Sequence, residues 1–373
     1  MPTPLLFTPL TMRGVVAPNR AVLSPMVQFR ATDGLVNDFH LVHLGKFALG
    51  KFGVVFTENC AVEPRGRVTQ GDLGLWDDGQ IASHKRLTTL LKAEGSVAAT
   101  QITHSGRKGS TPRTFDKPGA LGPEGAGWQR WEVVGPTDQP AAEGWLKPRA
   151  LSATEIEGLV TKFADAARRA DAAGYDVVEI HAAHGYLLAQ FLSPISNTRN
   201  DIYGGDCAGR MRFPLDVARA VRAALPANKA LFVRVSAVDG AGGWDVADTV
   251  VFAAALKELG VDVVDCSSGG LTGAATAAGV TRSPGFQVPF AAAVRRQAGV
   301  ASMAVGLILD GPQAEAILRA GDADLIAIGR QALYEPFWPL HAAQALGCDP
   351  DWTMWTPEYG WWLEKREHTL GRK

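Results

Sequence analysis

The sequence predicts a single (β/α)8 TIM barrel, and three observations carry that prediction. Eight short β-branched apolar runs recur along the chain, at residues 22–26, 54–60, 97–103, 177–182, 231–236, 261–267, 302–306 and 325–329. Nearly all are apolar on both faces, as parallel strands read when both sides are covered. Helical patterns fall between them, at 40–49, 81–93, 154–173, 210–224, 249–259, 289–298 and 311–320. Gly260, Gly299 and Gly321 stand just past three of these, where helix C-caps sit. Ser152 and Glu155 have the spacing of an N-terminal capping box. Strict strand–helix alternation argues for a barrel. A doubly wound sheet would typically show fewer strands and a glycine fingerprint after the first. Here the first run leads into Val27-Gln28-Phe29-Arg30.

At ~150 residues per domain, 373 residues allow two or three domains, but α/β barrels commonly run past 250 residues as one. We therefore read residues 1–373 as one domain. Residues 1–20 form a hairpin turning at Arg13-Gly14 and closing the barrel bottom. Residues 104–150, rich in Gly, Pro and Trp, are too long for a plain βα loop and read as a cap or lid. Residues 349–373 form a C-terminal tail.

Hydrophobic residues make up 46% and charged residues 20%, which supports a large core and excludes disorder, collagen-like repeats and coiled coil. A net charge of −1 gives no long-range pull toward nucleic acid or an anionic membrane. The four cysteines, Cys60, Cys207, Cys266 and Cys348, are scattered, so neither a zinc ribbon nor a disulfide scaffold is expected. The N-terminus lacks the pattern of a signal peptide, and no run reaches ~18 apolar residues. A cytoplasmic setting is the simplest expectation.

Barrel sites form at the C-terminal ends of strands. Those ends carry Ser24, Pro25 and Met26; Glu58; Gln101; His181, His184 and Tyr186; Arg234; Gly306; and Gly329 with Arg330. Two imidazoles and a phenol offer donors for a carbonyl oxygen and a proton source. The HxxH spacing can also hold a metal, although no third ligand lies near in sequence. Arg234, in an apolar strand, needs an anionic partner, either an internal carboxylate or a ligand. Gly306, Gly329 and Arg330 end the last two strands, where barrels hold phosphate. Seven of the ten tryptophans (Trp128, Trp131, Trp145, Trp352, Trp355, Trp361 and Trp362) fall in the insertion and tail. They read either as cap packing or as an aromatic rim or subunit contact.

The segments Leu6-Phe7-Thr8-Pro9-Leu10 and Asn19 through Met26 resemble the opening of the Old Yellow Enzyme family of FMN ene-reductases. The run from His181-Ala182-Ala183-His184-Gly185-Tyr186 to Pro194, continuing through Asn197, Arg199, Tyr203-Gly204-Gly205 and Arg210, is highly specific to it. The two-histidine form and the length resemble the bacterial xenobiotic-reductase-like, thermophilic-type branch. The resemblance implies FMN as cofactor, NADPH or NADH as reductant, and an α,β-unsaturated carbonyl compound as small-molecule substrate. It implies that Ser24, Pro25 and Met26 line the flavin ring, and that the Glu58 backbone touches it. Gln101 would bind the pyrimidine edge, and Arg234 the N1/O2 region. Gly306, Gly329 and Arg330 would hold the phosphate. His181 and His184 would bind the substrate carbonyl as hydride passes from flavin N5 to Cβ, with Tyr186 protonating Cα. His181 would also lie against the cofactor. A homodimer or higher homo-oligomer is implied, with Trp355, Tyr359 or Trp361 reaching a neighbouring site.

One departure stands out. The branch usually reads Ser-Pro-Met-Cys-Gln-Tyr where this chain has Val27 and Phe29. On an extended segment these two share a face, so both would make the substrate pocket more apolar. A shifted flavin potential and a preference for bulkier enones follow. The alternatives are a redox-neutral or biosynthetic flavoenzyme acting on one specialised enone-type intermediate, a flavin-free metal hydrolase using His181 and His184, and a non-catalytic flavin-binding protein.

Overall fold

The computed structural model describes residues 3–113, 115, 129–274 and 280–371. A hairpin of β1 (Leu10–Met12) and β2 (Val15–Ala17) precedes the barrel, with Arg13 in the left-handed region at its turn. The eight barrel strands are β3 (Ala21–Leu23), β4 (Val54–Ala61), β6 (Val97–Thr103), β9 (Val177–Ala182), β10 (Ala230–Ser236), β11 (Val263–Ser267), β12 (Ala301–Val305) and β13 (Leu325–Ile328). Neighbours pair in parallel, and β3 pairs with both β13 and β4, which closes the ring. The two-residue β5 (Leu73–Gly74) adds to the end of β4. In the insertion, β7 (Val134–Gly135) pairs with β8 (Arg149–Ala150).

Helices α1 (Asp38–Leu49), α2 (Ile81–Ala93), α3 (Ala153–Ala172), α5 (Cys207–Ala224), α6 (Val246–Glu258), α7 (Val288–Ala293) and α8 (Gly311–Arg319) follow successive strands. The expected caps form. Ser152 Oγ accepts from the Glu155 N–H, and Glu155 returns the bond to the Ser152 N–H. Gly260, Gly299 and Gly321 all have positive φ. Two details differ from the sequence reading. The first strand stops at Leu23 rather than residue 26, because Pro25 has no N–H to donate to a ladder. A further helix, α4 (Leu187–Leu192), follows β9 directly; its six residues are too few to show a period. The chain ends with α9 (Arg330–Tyr334), α10 (Trp338–Ala345) and α11 (Pro357–Thr369).

Alternate strand residues split the core in two. One cluster lies between strands and helices; the other fills the lumen. In the lumen, the ring centroids of Phe56 and Phe232 lie 6.1 Å apart, and Met12, Val15 and Ala17 of the hairpin close it from below. The Gly14 N–H donates to the Asn228 carbonyl just before β10, which ties the hairpin to the strand starts. Among the described residues no helix is long and apolar enough to cross a membrane.

Phe232 is fully buried beside Phe56 in the lumen, so truncating it leaves a cavity. Phe232→Ala should therefore cost about 3–5 kcal/mol, read from the urea midpoint at unchanged slope. A loss below about 1 kcal/mol would contradict the packing described.

Candidate functional site

Above the apolar lumen the inward positions turn polar. Glu179 and His181 follow Val177 on β9; Arg234 follows Phe232 on β10; Asp265 and Ser267 follow Val263 on β11. Arg234 is 7% exposed. Its Nε lies 3.1 Å from Asp265 Oδ2, and its Nη1 donates to Ser24 Oγ at 3.1 Å. An internal carboxylate thus faces this guanidinium, one of the two partners open at the sequence level. Gln101 Nε2 donates to Glu179 Oε1 at 2.7 Å. Burial, then the neighbouring Asp265, pushes the Glu179 carboxyl up to about 8. Burial raises Asp265 as well, against the opposing pull of Arg234. Sequence reasoning missed both acids. Their only signal was period two with Val177 and Val263.

The β9–α4 turn sets the histidines. His184 has φ 57 and Gly185 has φ 67, so two consecutive residues are left-handed. The His184 N–H donates to Ser236 Oγ at 2.9 Å, and buried Lys108 donates from Nζ to the His184 carbonyl at 2.9 Å. A Cβ at Gly185 would stand 2.8 Å from Leu271 Cα, so only glycine fits there. The Ala183 N–H donates to His181 Nδ1 at 3.1 Å, which leaves the neutral ring's proton on Nε2. That Nε2 is 3.2 Å from His184 Nδ1, and His184 Nε2 is 2.8 Å from Ser267 Oγ. The bonds read as one relay, His181 to His184 to Ser267. Burial, then Arg234, holds both imidazoles well below their usual pKa, so the rings are neutral near pH 7. The Tyr186 ring lies 4.8 Å from that of His181, and burial raises its phenol above the ordinary range.

A cavity of about 520 Å³ opens beside this group. Ser24, Pro25, Met26, His184, Arg234, Gly306, Gly329 and Arg330 line it. Ser267, Arg282 and Gln287, not singled out from sequence, line it too. His181, Tyr186, Glu58, Gln101, Val27 and Phe29 are not on its wall. The Glu58 carboxylate accepts from the Gln28 N–H at 2.9 Å and meets His40 Nε2 at 3.1 Å, and the role expected of Glu58 lay with its backbone. Phe29 has φ 56 and its ring is 6.0 Å from that of Phe115. The segment is therefore not extended at Phe29, and the shared face expected for Val27 and Phe29 does not follow from strand geometry.

These residues fit an FMN. A Cβ on Gly329 would find nothing closer than Met26 Sδ at 3.8 Å, so the backbone there is open to a close ligand. Arg330 and Arg282 bring positive charge to the same cavity, as a phosphate requires. Arg234 and Ser24 supply polar groups elsewhere on the wall, with Met26 and Val305 as apolar surface. Among the described residues no group of three His, Cys, Asp or Glu side chains could hold a metal ion.

In the insertion, Trp131 Nε1 donates to the Arg65 carbonyl at 3.0 Å, and Arg67 lies 5.1 Å from a Trp131 ring centroid. Trp145 is half-buried, while Trp128 lies outside the described residues. In the tail, Trp355 stacks on Phe337 at 5.5 Å, whereas Trp361 and Trp362 are exposed.

Residues 5–348 match the NADH:flavin oxidoreductase / NADH oxidase family. The chain is 42% identical to an NADPH dehydrogenase of Geobacillus thermodenitrificans (strain NG80-2), over 92% of this chain and 95% of that protein. It is 41% identical to an NADPH dehydrogenase of Bacillus subtilis (strain 168), over 92% of this chain and 96% of that one. The solved structure of morphinone reductase in complex with tetrahydroNAD is similar with TM-score 0.75 and 27% identity, over 93% of this chain and 92% of that one.

Removing one member of a buried ion pair strands the other charge. Asp265→Ala should cost about 3–5 kcal/mol in the urea midpoint. A variant as stable as the parent would show that Arg234 does not depend on Asp265.

Proposed function

The chain belongs to the NADH:flavin oxidoreductase / NADH oxidase family, an NAD(P)H-dependent and FMN-dependent group, and from that premise we propose that it reduces the activated C=C bond of α,β-unsaturated carbonyl compounds. The observation that supports this most is the donor relay. His181 hands its N–H to His184, and the relay surfaces on His184 at the wall of the cavity that Arg234 flanks.

FMN, when bound, supplies the hydride-carrying chemistry between nicotinamide and substrate. Ser24, Pro25, Met26 and Arg234 would hold its ring. Gln101, with one amide N–H spent on Glu179, would meet the ring edge with its remaining amide groups. Gly306, Gly329 and Arg330, with Arg282, would hold the phosphate. The His184 Nε2–H, turned from Ser267 Oγ to a substrate carbonyl, stabilises the negative charge that builds there. Neutrality matters here: the ring donates without adding a full charge that Arg234 would oppose. Tyr186 stays protonated at working pH and serves as proton source. Relatives named NADPH dehydrogenase, and a morphinone reductase solved in complex with tetrahydroNAD, support the nicotinamide assignment.

Tyr186→Phe separates the two half-reactions. Turnover with an enone should fall about 10²–10⁴-fold while flavin bleaching by NADPH keeps its rate. Equal losses in both, or no loss in the first, would contradict the proton-source role.

A further inference from the structure

Among the inward positions of the barrel, Asn59 and Thr103 carry polar atoms with no hydrogen-bond partner, beside Glu179 Oε2 and the Asp265 carboxylate. Asn59 is 2% exposed, yet neither its Nδ2 nor its Oδ1 has a hydrogen-bond partner. The buried Thr103 hydroxyl is orphaned as well. Strand register fixes where they face. A bulge between Phe56 and Asn59 adds one residue to β4 relative to β6 and returns Asn59 to the lumen. Asn59 pairs with Gln101, and Gln101 with Glu179, so the three form one inward row. Cys60 belongs with Ile102 and Ile180 to the outer core, which confirms the alternation. Thr103 stands one inward step nearer the strand ends, so the polar wall continues toward the level of His181.

Native structures avoid burying a carboxamide whose donor and acceptor are both unmet. Two unmet groups on one side chain mark a place filled by a group that offers both an acceptor and a donor. The pyrimidine ring of a flavin offers this along its imide edge, where carbonyls flank an N–H. A resident cofactor also fits better than a passing substrate, because the carboxamide would be orphaned again after each turnover.

We propose that Asn59 is a further cofactor-contact residue, its carboxamide giving and accepting a hydrogen bond with the imide edge of FMN beside Gln101. The inference rests on the FMN assignment of the proposed function. It adds a second carboxamide, on β4, to the wall made by β6, β9 and β10.

The test uses purified holoenzyme of the parent, Asn59→Leu and the smaller Asn59→Ala. FMN release on dilution, followed by flavin fluorescence, gives the dissociation constant. Melting with and without excess FMN gives stability. Both variants should bind FMN about tenfold more weakly. With FMN stripped from parent and variants alike, their melting point should not fall, because replacing an unmet polar group by an apolar one removes a penalty rather than a bond. FMN binding within about twofold of the parent would overturn the inference, and so would a lower melting point with unchanged FMN affinity. A parent protein that takes up no FMN would overturn the cofactor assignment itself, an outcome the same fluorescence readout separates from the first two.

Discussion

A guanidinium set into the barrel lumen governs the upper half of this molecule. Arg234 stands two residues above Phe232, at the level where the lumen stops being apolar. A lone charge there would cost too much to keep, so the surrounding strands answer it. Asp265 comes from β11 and Ser24 from the end of β3, while Glu179 stands on β9 with Gln101 of β6 to hold it. Five strands are thereby committed to one electrostatic arrangement. Its positive member reaches the cavity wall, while its acids lie deeper, where burial raises the pKa of both.

The histidine pair depends on the same charge. Burial beside Arg234 keeps both rings neutral, and only neutral rings pass N–H bonds along a line. The left-handed pair His184-Gly185 then sets the end of that line at the cavity. Such a backbone persists only when it is held from several sides, and here Ser236, Lys108 and the close approach of Leu271 hold it. The strain is local, and it lies where the site needs an accurately placed donor.

Much of the fold was legible because its signals are local and repeated. Double-faced apolar strands, capping Ser152 and the three C-cap glycines each act over a few residues, and each forms as the pattern implies. Features that depend on contacts between distant strands were not legible. Asp265 and Glu179 sit in runs that read as ordinary buried strand, and only register brings them to Arg234. The β4 bulge cannot be read from Thr57-Glu58-Asn59, and neither can the turn of the Glu58 carboxylate toward His40 and Gln28. The left-handed conformation of Phe29 was hidden for a similar reason. A non-glycine residue adopts it only under tertiary constraint, here with the Ala31 N–H bonded to the Gly71 carbonyl.

The central claim is that the cavity holds a flavin that passes reducing equivalents from a nicotinamide to an enone. The most direct measurement is a visible spectrum of the purified protein without oxygen, taken before and after NADPH and again after 2-cyclohexenone. A flavin spectrum that bleaches with NADPH and returns with the enone is the predicted result. A protein that shows no flavin, even after incubation with FMN, would contradict the account.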